Sequence, residues 1–478
     1  MDQDLGWWTR VATEGWRDRP GPRYRRIAAV LAETIERRRV GAGDRLPAER
    51  LLADALGVSR GTVVRAYDEL ARAGLVERRQ GAGSYVRPRP GWTRTPPETS
   101  GSALLLRRLG GDADTIDLSL SVPAGTGHLP TVDGTFEVSD LDGHGMDPAG
   151  LPELRSALAD HLTHRLRLPT TPDRLIVTSG AQQALALVVE ALVAPQRPVV
   201  TGCPVYPGLT AAMTGRQGRL VPVPVDGLGL QIPAVERAVA RLRAPLIYLD
   251  PAAHNPTGAV LGAARREALL ALARRHHAVV VEDLAQAGLD LDPDLPPHVP
   301  LAAEDDSVIA LGSLSKTFWA GLRIGWLRAP APLHAYLLRL RAAHDLAPAV
   351  PAQLLATRLL RAADRAWYDE LRGALRERRD LLLGLLRDQL PAWRAAVPQA
   401  GPSLWLTLPV TDTESFAHVA ARYGVLVAPG ATACVDGRHR DGLRLSFAES
   451  PGTLEPAVDR LTAAWEDHAR HLAAVRVR

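Results

Sequence analysis

From residue 115 onward this chain alternates two kinds of segment, and that alternation constrains its fold more than any other feature. Short runs rich in Val, Ile and Leu stand at 175–178, 199–201, 246–249, 279–281 and 308–311. Between them lie Ala- and Arg-rich stretches long enough to be helices. Strands separated by helices need crossover connections, which are right-handed and give a mostly parallel sheet covered by helices. Residues 331–478 read as helix-rich, with strand candidates at 403–408 and 443–447. The expectation is an α/β body over 115–478, its large part about 170–330 and its small part about 115–165 plus 331–478.

Residues 20–86 follow a different pattern. Ile27, Val30, Leu31 and Ile35 recur at helical spacing, and Gly41 to Gly43 stop that helix. Pro47 opens a second helix through Leu51, Leu52 and Leu56, closed by Gly57. Ser59 suits the cap of a third, with Val63, Val64, Tyr67 and Leu70 on its apolar face and Gly74 behind it. Two short strands, 75–79 and 84–86, then flank Gln80-Gly81-Ala82-Gly83. Three helices and a glycine hairpin are the layout of an α/β winged helix-turn-helix. Charge agrees with that layout. Residues 23–86 hold 13 Arg against 8 Asp and Glu, while the whole chain is only +4. A basic surplus confined to one small segment points to a polyanion as that segment's partner. Residues 87–114, with Pro88, Pro90, Pro96 and Pro97, read as a linker.

The stretch from Arg45 to Arg50, then Gly57-Val58-Ser59-Arg60-Gly61-Thr62-Val63-Val64-Arg65-Ala66-Tyr67, closely resembles the GntR family of bacterial regulators, as does 74–86. The resemblance implies binding to double-stranded operator DNA. It assigns DNA contacts to Arg50, Arg60 and Arg65, the helix start to Ser59, Gly61 and Thr62, and the wing to Gly81 and Gly83. For Arg50 and Arg65 a competing reading is an ion pair with Glu49, Asp54 or Asp68.

Of the 57 basic side chains one is a lysine, Lys316; the rest are arginines. Arginine serves ion pairs and phosphate clamps, but it stays protonated, whereas a desolvated lysine can become a nucleophilic amine. Around Lys316 stand Ser313, Ser315, Gly321, Arg323 and Gly325, groups suited to a phosphate beside an imine. Gly180-Ala181-Gln182 follow a strand and open an apolar helix whose free amides suit an anion. Tyr206 sits on a Pro-bounded turn, Asn255 follows a strand, Asp283 ends one, and Arg444 lies within one.

In this order and spacing the residues resemble the fold-type I aminotransferases, which use pyridoxal 5′-phosphate. The resemblance implies that Lys316 is the catalytic residue, forming a Schiff base with the cofactor. It further implies that Asp283 keeps the pyridine nitrogen protonated, Asn255 bonds the ring hydroxyl and Tyr206 stacks on the ring. Gly180, Ala181, Gln182, Ser313, Ser315 and Arg323 would form the rest of the cofactor site, and Arg444 would clamp a substrate or effector carboxylate. Two departures stand out: relatives often place a tyrosine shortly after the Asp, where this chain has Ala285 and Gln286, and another near His144.

A GntR-like domain, a linker and an aminotransferase-like body together resemble the MocR subfamily of transcription regulators. That resemblance implies a homodimer, head-to-tail, whose large domain senses the cofactor or an amine or amino acid, with weak or no transamination. A working aminotransferase that carries a DNA-binding domain is the alternative, and a cofactor-free dimerisation scaffold a third reading. Met1 to Trp16 lacks a basic-then-apolar signal pattern, and no apolar stretch reaches membrane-spanning length. Two cysteines, Cys203 and Cys434, cannot build a disulfide framework, and their spacing is not that of a metal site. A cytoplasmic setting without metal is expected.

Overall fold

The computed structural model describes Trp8, Thr13 and residues 15–19, 21–36, 40, 43–79, 83–87, 114–132, 143–194, 197–214, 216, 218–242 and 245–476. Gly41 and Gly81, and the linker apart from its two end residues, lie outside them. The chain divides into two compact units, Met1–Thr95 and Pro96–Arg478.

In the first unit, helix α1 spans Arg23–Glu36, α2 Glu49–Leu56 and α3 Arg60–Arg72. Gly57 ends α2 in the left-handed conformation, and its amide bonds back to Ala53 and Asp54 carbonyls. Ser59 caps α3, its Oγ accepting from Thr62 N at 3.2 Å. Such a cap contributes about 1 kcal/mol. Ile27, Leu31, Leu52, Val63 and Tyr67 close the core, each almost fully buried. Tyr67 Oη donates to Pro47 O at 2.9 Å, which ties α3 to the turn before α2. Strands β1 (Val76–Arg79) and β2 (Gly83–Val86) pair antiparallel, with Arg79 opposite Gly83. Leu51, expected on the apolar face of α2, is 54% exposed. Leu52, Ala53 and Leu56 fall within one arc of that short helix, and Leu51 lies about 100° outside it.

In the second unit an eight-stranded sheet forms the centre. Its strands are β3 (Leu175–Thr178), β4 (Val199–Cys203), β5 (Leu220–Asp226), β6 (Gly229–Leu230), β7 (Leu246–Leu249), β8 (Val279–Asp283), β9 (Ile309–Ser313) and β10 (Gly325–Arg328). Their order is β3-β10-β9-β8-β7-β4-β5-β6. The five expected strands are present. Strands β5, β6 and β10 were not expected, since Pro222 and Pro224 interrupt the first and Arg328 ends the last. Alternation along a strand sends neighbouring side chains to opposite faces. Thus Leu175 and Val177 enter one core and Ile176 another.

Strand β10 runs antiparallel to both β9 and β3. The connection from β9 to β10 is too short for a helical crossover, so the chain turns straight back. That turn holds Lys316. The other sheet core strands (β3, β9, β8, β7 and β4) all point the same way, so their carboxyl ends share one edge. In sheets of this kind ligands bind outside the carboxyl ends of the strands.

The carboxy-terminal part adds helix α4 (Arg365–Gln389), then β11 (Arg394–Ala396), β12 (Ser403–Thr407), β13 (Ala428–Pro429) and β14 (Gly442–Ser446), paired in the order β11-β12-β14-β13. Helix α5 (Pro451–Arg476) packs beside α4. A third core, with Leu404, Leu443, Leu445, Phe416 and Leu454, lies between them. No helix among the described residues is long and apolar enough to cross a membrane.

Candidate functional site

Two groups of residues matter, one in each unit. In the first, the leading turn of α3 presents Arg60, Gly61 and Arg65 to solvent, with Thr62 half-buried beside the Ser59 cap. Arg50 is likewise exposed on α2. Neither Arg50 nor Arg65 forms an ion pair among the described residues. Two of the three competing carboxylates are engaged elsewhere: Glu49 pairs with Arg60 at 3.3 Å and with Arg78, and Asp68 pairs with Arg78. Arg45, Glu49, Arg50, Arg60, Arg78 and Gly83 all line one cleft of about 510 Å³. Gly83 has φ +109°, and a Cβ there would stand 3.1 Å from Arg45 Nε, so the wing turn requires glycine. Gly81, the other expected wing glycine, lies outside the described residues.

In the second unit, strand ends gather the residues singled out by sequence. Asp283 ends β8, Lys316 follows β9, Asn255 follows β7, Tyr206 follows β4, and Gly180 follows β3. Arg444 sits in β14 opposite Trp405. Lys316 is half-buried. Burial lowers its amine to about 7; the Arg444 guanidinium pushes the same way, and Asp283 opposes. The amine can therefore lose its proton near neutral pH.

Asp283 is buried and held by two donors, Ala285 N at 2.8 Å and Tyr248 Oη at 3.0 Å. A second carboxyl, Asp250, is buried nearby; it accepts Asn255 N at 3.2 Å through Oδ2, and its Oδ1 has no partner. Burial raises both acids, and each ionised form disfavours the other. Asp283 has the better donors and the Lys316 charge near it, so it keeps the negative charge and Asp250 the proton. Tyr248 and Asp250 were missed by sequence reading. Strand register accounts for Tyr248, which lies beside Val281 on the neighbouring strand.

Arg444 is buried; burial draws it down to about 10, still cationic at neutral pH. It donates to Asn255 Oδ1 at 2.9 Å and to Ser119 O at 2.5 Å, and its buried Nε lacks a partner. Tyr206 Oη donates to Gln182 Oε1 at 3.1 Å, and Gln182 Nε2 donates to Gly208 O at 2.9 Å. Burial takes the Tyr206 phenol up to about 12, so it stays neutral.

Gly180 precedes the twelve-residue helix 181–192, with φ +97°. A Cβ at Gly180 would meet Arg323 Nη2 at 2.9 Å. Arg323 is exposed and reaches Ser179 O with its Nη2. Ser315 N donates to Ser313 Oγ at 3.1 Å, and the two hydroxyls are 2.9 Å apart. Free helix amides, two hydroxyls and a guanidinium thus border the same strand-end region as Lys316. Gln286, where relatives often have a tyrosine nearby, donates to Ala253 O at 3.1 Å and leaves its buried Oε1 without a partner. His144 is exposed and accepts Met146 N at 3.1 Å. A half-buried amine, a cushioned carboxylate, an orphaned guanidinium nitrogen and an anion cradle fit a phosphate-bearing aromatic aldehyde.

Comparison with known proteins finds a family for each unit. Residues 143–461 match the aminotransferase class I and II family, and residues 23–86 match the bacterial regulatory proteins of the gntR family. The chain is 29% identical to the uncharacterised HTH-type transcriptional regulator YisV of Bacillus subtilis, over 91% of this chain and 94% of that one. It is 28% identical to the probable rhizopine catabolism regulatory protein MocR of Rhizobium meliloti, over 66% and 67%. Among solved structures, an archaeal alanine:glyoxylate aminotransferase superposes with TM-score 0.70 at 26% identity, covering 78% of this chain and 96% of its own. The relative matched over nine tenths of both chains is thus named as a helix-turn-helix regulator.

Proposed function

We propose that this chain, which belongs to the aminotransferase class I and II family and carries a gntR-family DNA-binding domain, is a transcription regulator that reads pyridoxal 5′-phosphate through Lys316. The family body implies pyridoxal 5′-phosphate as its cofactor. When bound, that group supplies an aldehyde carbon to which an amine adds and a ring that accepts electrons. One observation carries the reading: the sole lysine is a half-buried amine of lowered basicity beside a buried carboxylate, in the same chain as a DNA-reading module.

The residues divide the work by chemistry. Lys316 Nζ would be the attachment point for the aldehyde, a role open only to its unprotonated form. Asp283, kept ionised, would hold a proton on the pyridine nitrogen. Asn255 and Tyr206 fix the ring's hydroxyl edge and its face, while Gln182 holds Tyr206 in place. Gly180, Ala181, Ser313, Ser315 and Arg323 receive the phosphate, and Arg444 receives an effector carboxylate through its fork. Arg50, Arg60 and Arg65, with Ser59, Gly61, Thr62, Gly81 and Gly83, form the DNA-reading surface. The partners in this reading are double-stranded operator DNA, an amine or amino-acid effector, and a second copy of the chain in a head-to-tail dimer.

Capture of the cofactor should follow the ionisation of Lys316. Below about pH 7 the ammonium dominates and capture is slow; above it the free amine dominates and the rate levels off. Stopped-flow absorbance of the protein stripped of cofactor and mixed with pyridoxal phosphate measures this. A profile flat from pH 6 to pH 9 would count against the assignment.

Arg444 should separate amino acids from plain amines. Arg444→Ala removes a charge-assisted fork worth about 1.5–3 kcal/mol, or roughly 10- to 150-fold in affinity, for ligands with a carboxylate only. Spectral titration of the cofactor-loaded variant with an amino acid and with its decarboxylated amine checks it; equal losses for both ligands would contradict the role.

The function itself is tested by two assays on the purified chain. Retardation of its own upstream DNA, weakening steeply with salt, is the expected result. Transamination should fall far below the roughly 1–10³ s⁻¹ of ordinary enzymes. Turnover in that range with no DNA retardation would assign the chain to the enzymes instead.

A further inference from the structure

Cys203 and Cys434, the chain's two cysteines, lie 231 residues apart in sequence, yet their Sγ atoms stand 3.8 Å apart. Asp436 Oδ1 completes the group, 3.2 Å from Cys203 Sγ and 3.5 Å from Cys434 Sγ. Spacing along the chain gave no sign of this cluster, because the fold brings β4's last residue against the loop after β13.

We infer that Cys203, Cys434 and Asp436 form a binding site for a zinc-class divalent cation, clamping the 430–436 loop onto the turn that carries Tyr206. The distances carry the argument. Tetrahedral zinc with Zn–S of about 2.3 Å sets its two sulfurs about 3.8 Å apart, and sulfur and carboxylate oxygen about 3.6 Å apart. The three atoms therefore already occupy the corners of one tetrahedral face, within a few tenths of an ångström. Two thiolates and a carboxylate select a borderline-soft cation over magnesium or calcium. The fourth corner falls to water.

The surroundings are those of oriented ligands. His439 N donates to Cys434 Sγ at 3.1 Å, which orients that sulfur. Arg438 N donates to Asp436 Oδ1 at 3.1 Å and Arg438 Nε to Oδ2 at 2.6 Å, fixing the carboxylate and offsetting its charge. Val205 N donates to Ala433 O at 2.9 Å, so the two segments are already joined by backbone beside the cluster. On binding, both sulfur–hydrogen bonds are replaced by sulfur–metal bonds and two protons leave to solvent; no oxidant is needed. Tyr206 lies three residues from Cys203, so the cation would stiffen the turn beneath the cofactor ring's stacking partner.

The test uses full-length protein kept reduced by a phosphine and dialysed against zinc. The expected result is one zinc retained per chain, and a rise in Tm with zinc. Cobalt in its place should give intense thiolate-to-metal charge-transfer absorption. Cys434→Ser should lose the retained equivalent, the zinc-dependent rise in Tm and the cobalt absorption. Asp436→Asn should weaken zinc about tenfold while keeping the cobalt–sulfur absorption. A reduced wild type that retains no more zinc than the Cys203→Ser/Cys434→Ser double variant overturns the site. So does cobalt bound without sulfur absorption, or a reduced protein that binds no cation and instead forms a Cys203–Cys434 disulfide under peroxide.

Discussion

Lys316→Ala abolishes covalent capture of pyridoxal phosphate, with no residual capture at any other side chain. The completeness of the loss follows from the sequence. Every other basic side chain is an arginine or histidine, so no second ε-amine exists to act in its place. Borohydride treatment of the wild type should fix one phosphopyridoxyl group on the peptide containing Lys316, and the alanine variant should carry none there. Lys316→Arg should fail as completely, because a guanidinium keeps its proton at neutral pH. The buried carboxylate and the anion cradle remain in both variants, so non-covalent binding of the cofactor should persist at reduced affinity. Cofactor absorbance that survives gel filtration unchanged in the alanine variant would show that Lys316 is not the attachment point.

Arg60→Ala is the second large effect. Its side chain is 71% exposed, on the first turn of α3, with a single 3.3 Å ion pair to Glu49. An exposed pair of this kind contributes little to stability, about 0–1 kcal/mol. The fold should therefore unfold at nearly the wild-type temperature. Binding to the operator should weaken by about 1–3 kcal/mol, roughly 5- to 150-fold. If Arg60 reads a base edge, the loss falls on the operator and spares unrelated DNA; if it meets a phosphate, both weaken and the salt slope drops by about one. Arg78 serves as the control. It is committed to Glu49 and Asp68, so Arg78→Ala should disturb the domain's packing of charges more than its contact with DNA. Operator affinity unchanged in Arg60→Ala, measured by fluorescence anisotropy, would remove α3 from the DNA-reading surface.

Much of this molecule was legible before its coordinates, and the exceptions have a common cause. Ser59 as a cap, Asp283 at a strand end and Lys316 next to a strand are local facts, written in residues a few positions apart. What local pattern could not give was partnership across the sheet. Tyr248 holds Asp283 only because β7 and β8 run in register, and Asp250 competes for charge only because both strand ends are buried together. Strand β10 escaped notice because its direction depends on the short turn before it rather than on its own composition. Leu51 falls outside the core because the buried arc of α2 runs through Leu52, Ala53 and Leu56, one residue's turn away from it. The cysteine pair is the extreme case, since 231 residues of intervening chain hide a 3.8 Å contact.

Cofactor held at Lys316 is expected to change how the chain engages its operator. Such coupling requires that the two cofactor states differ in DNA affinity, and a typical coupling of about 1–3 kcal/mol is 5- to 150-fold. The direct measurement is the operator affinity of wild type and Lys316→Ala, each stripped of cofactor and then titrated with pyridoxal phosphate at fixed salt. A several-fold change in affinity is expected for the wild type and none for the variant. Equal operator affinity for the loaded and stripped wild type would contradict it.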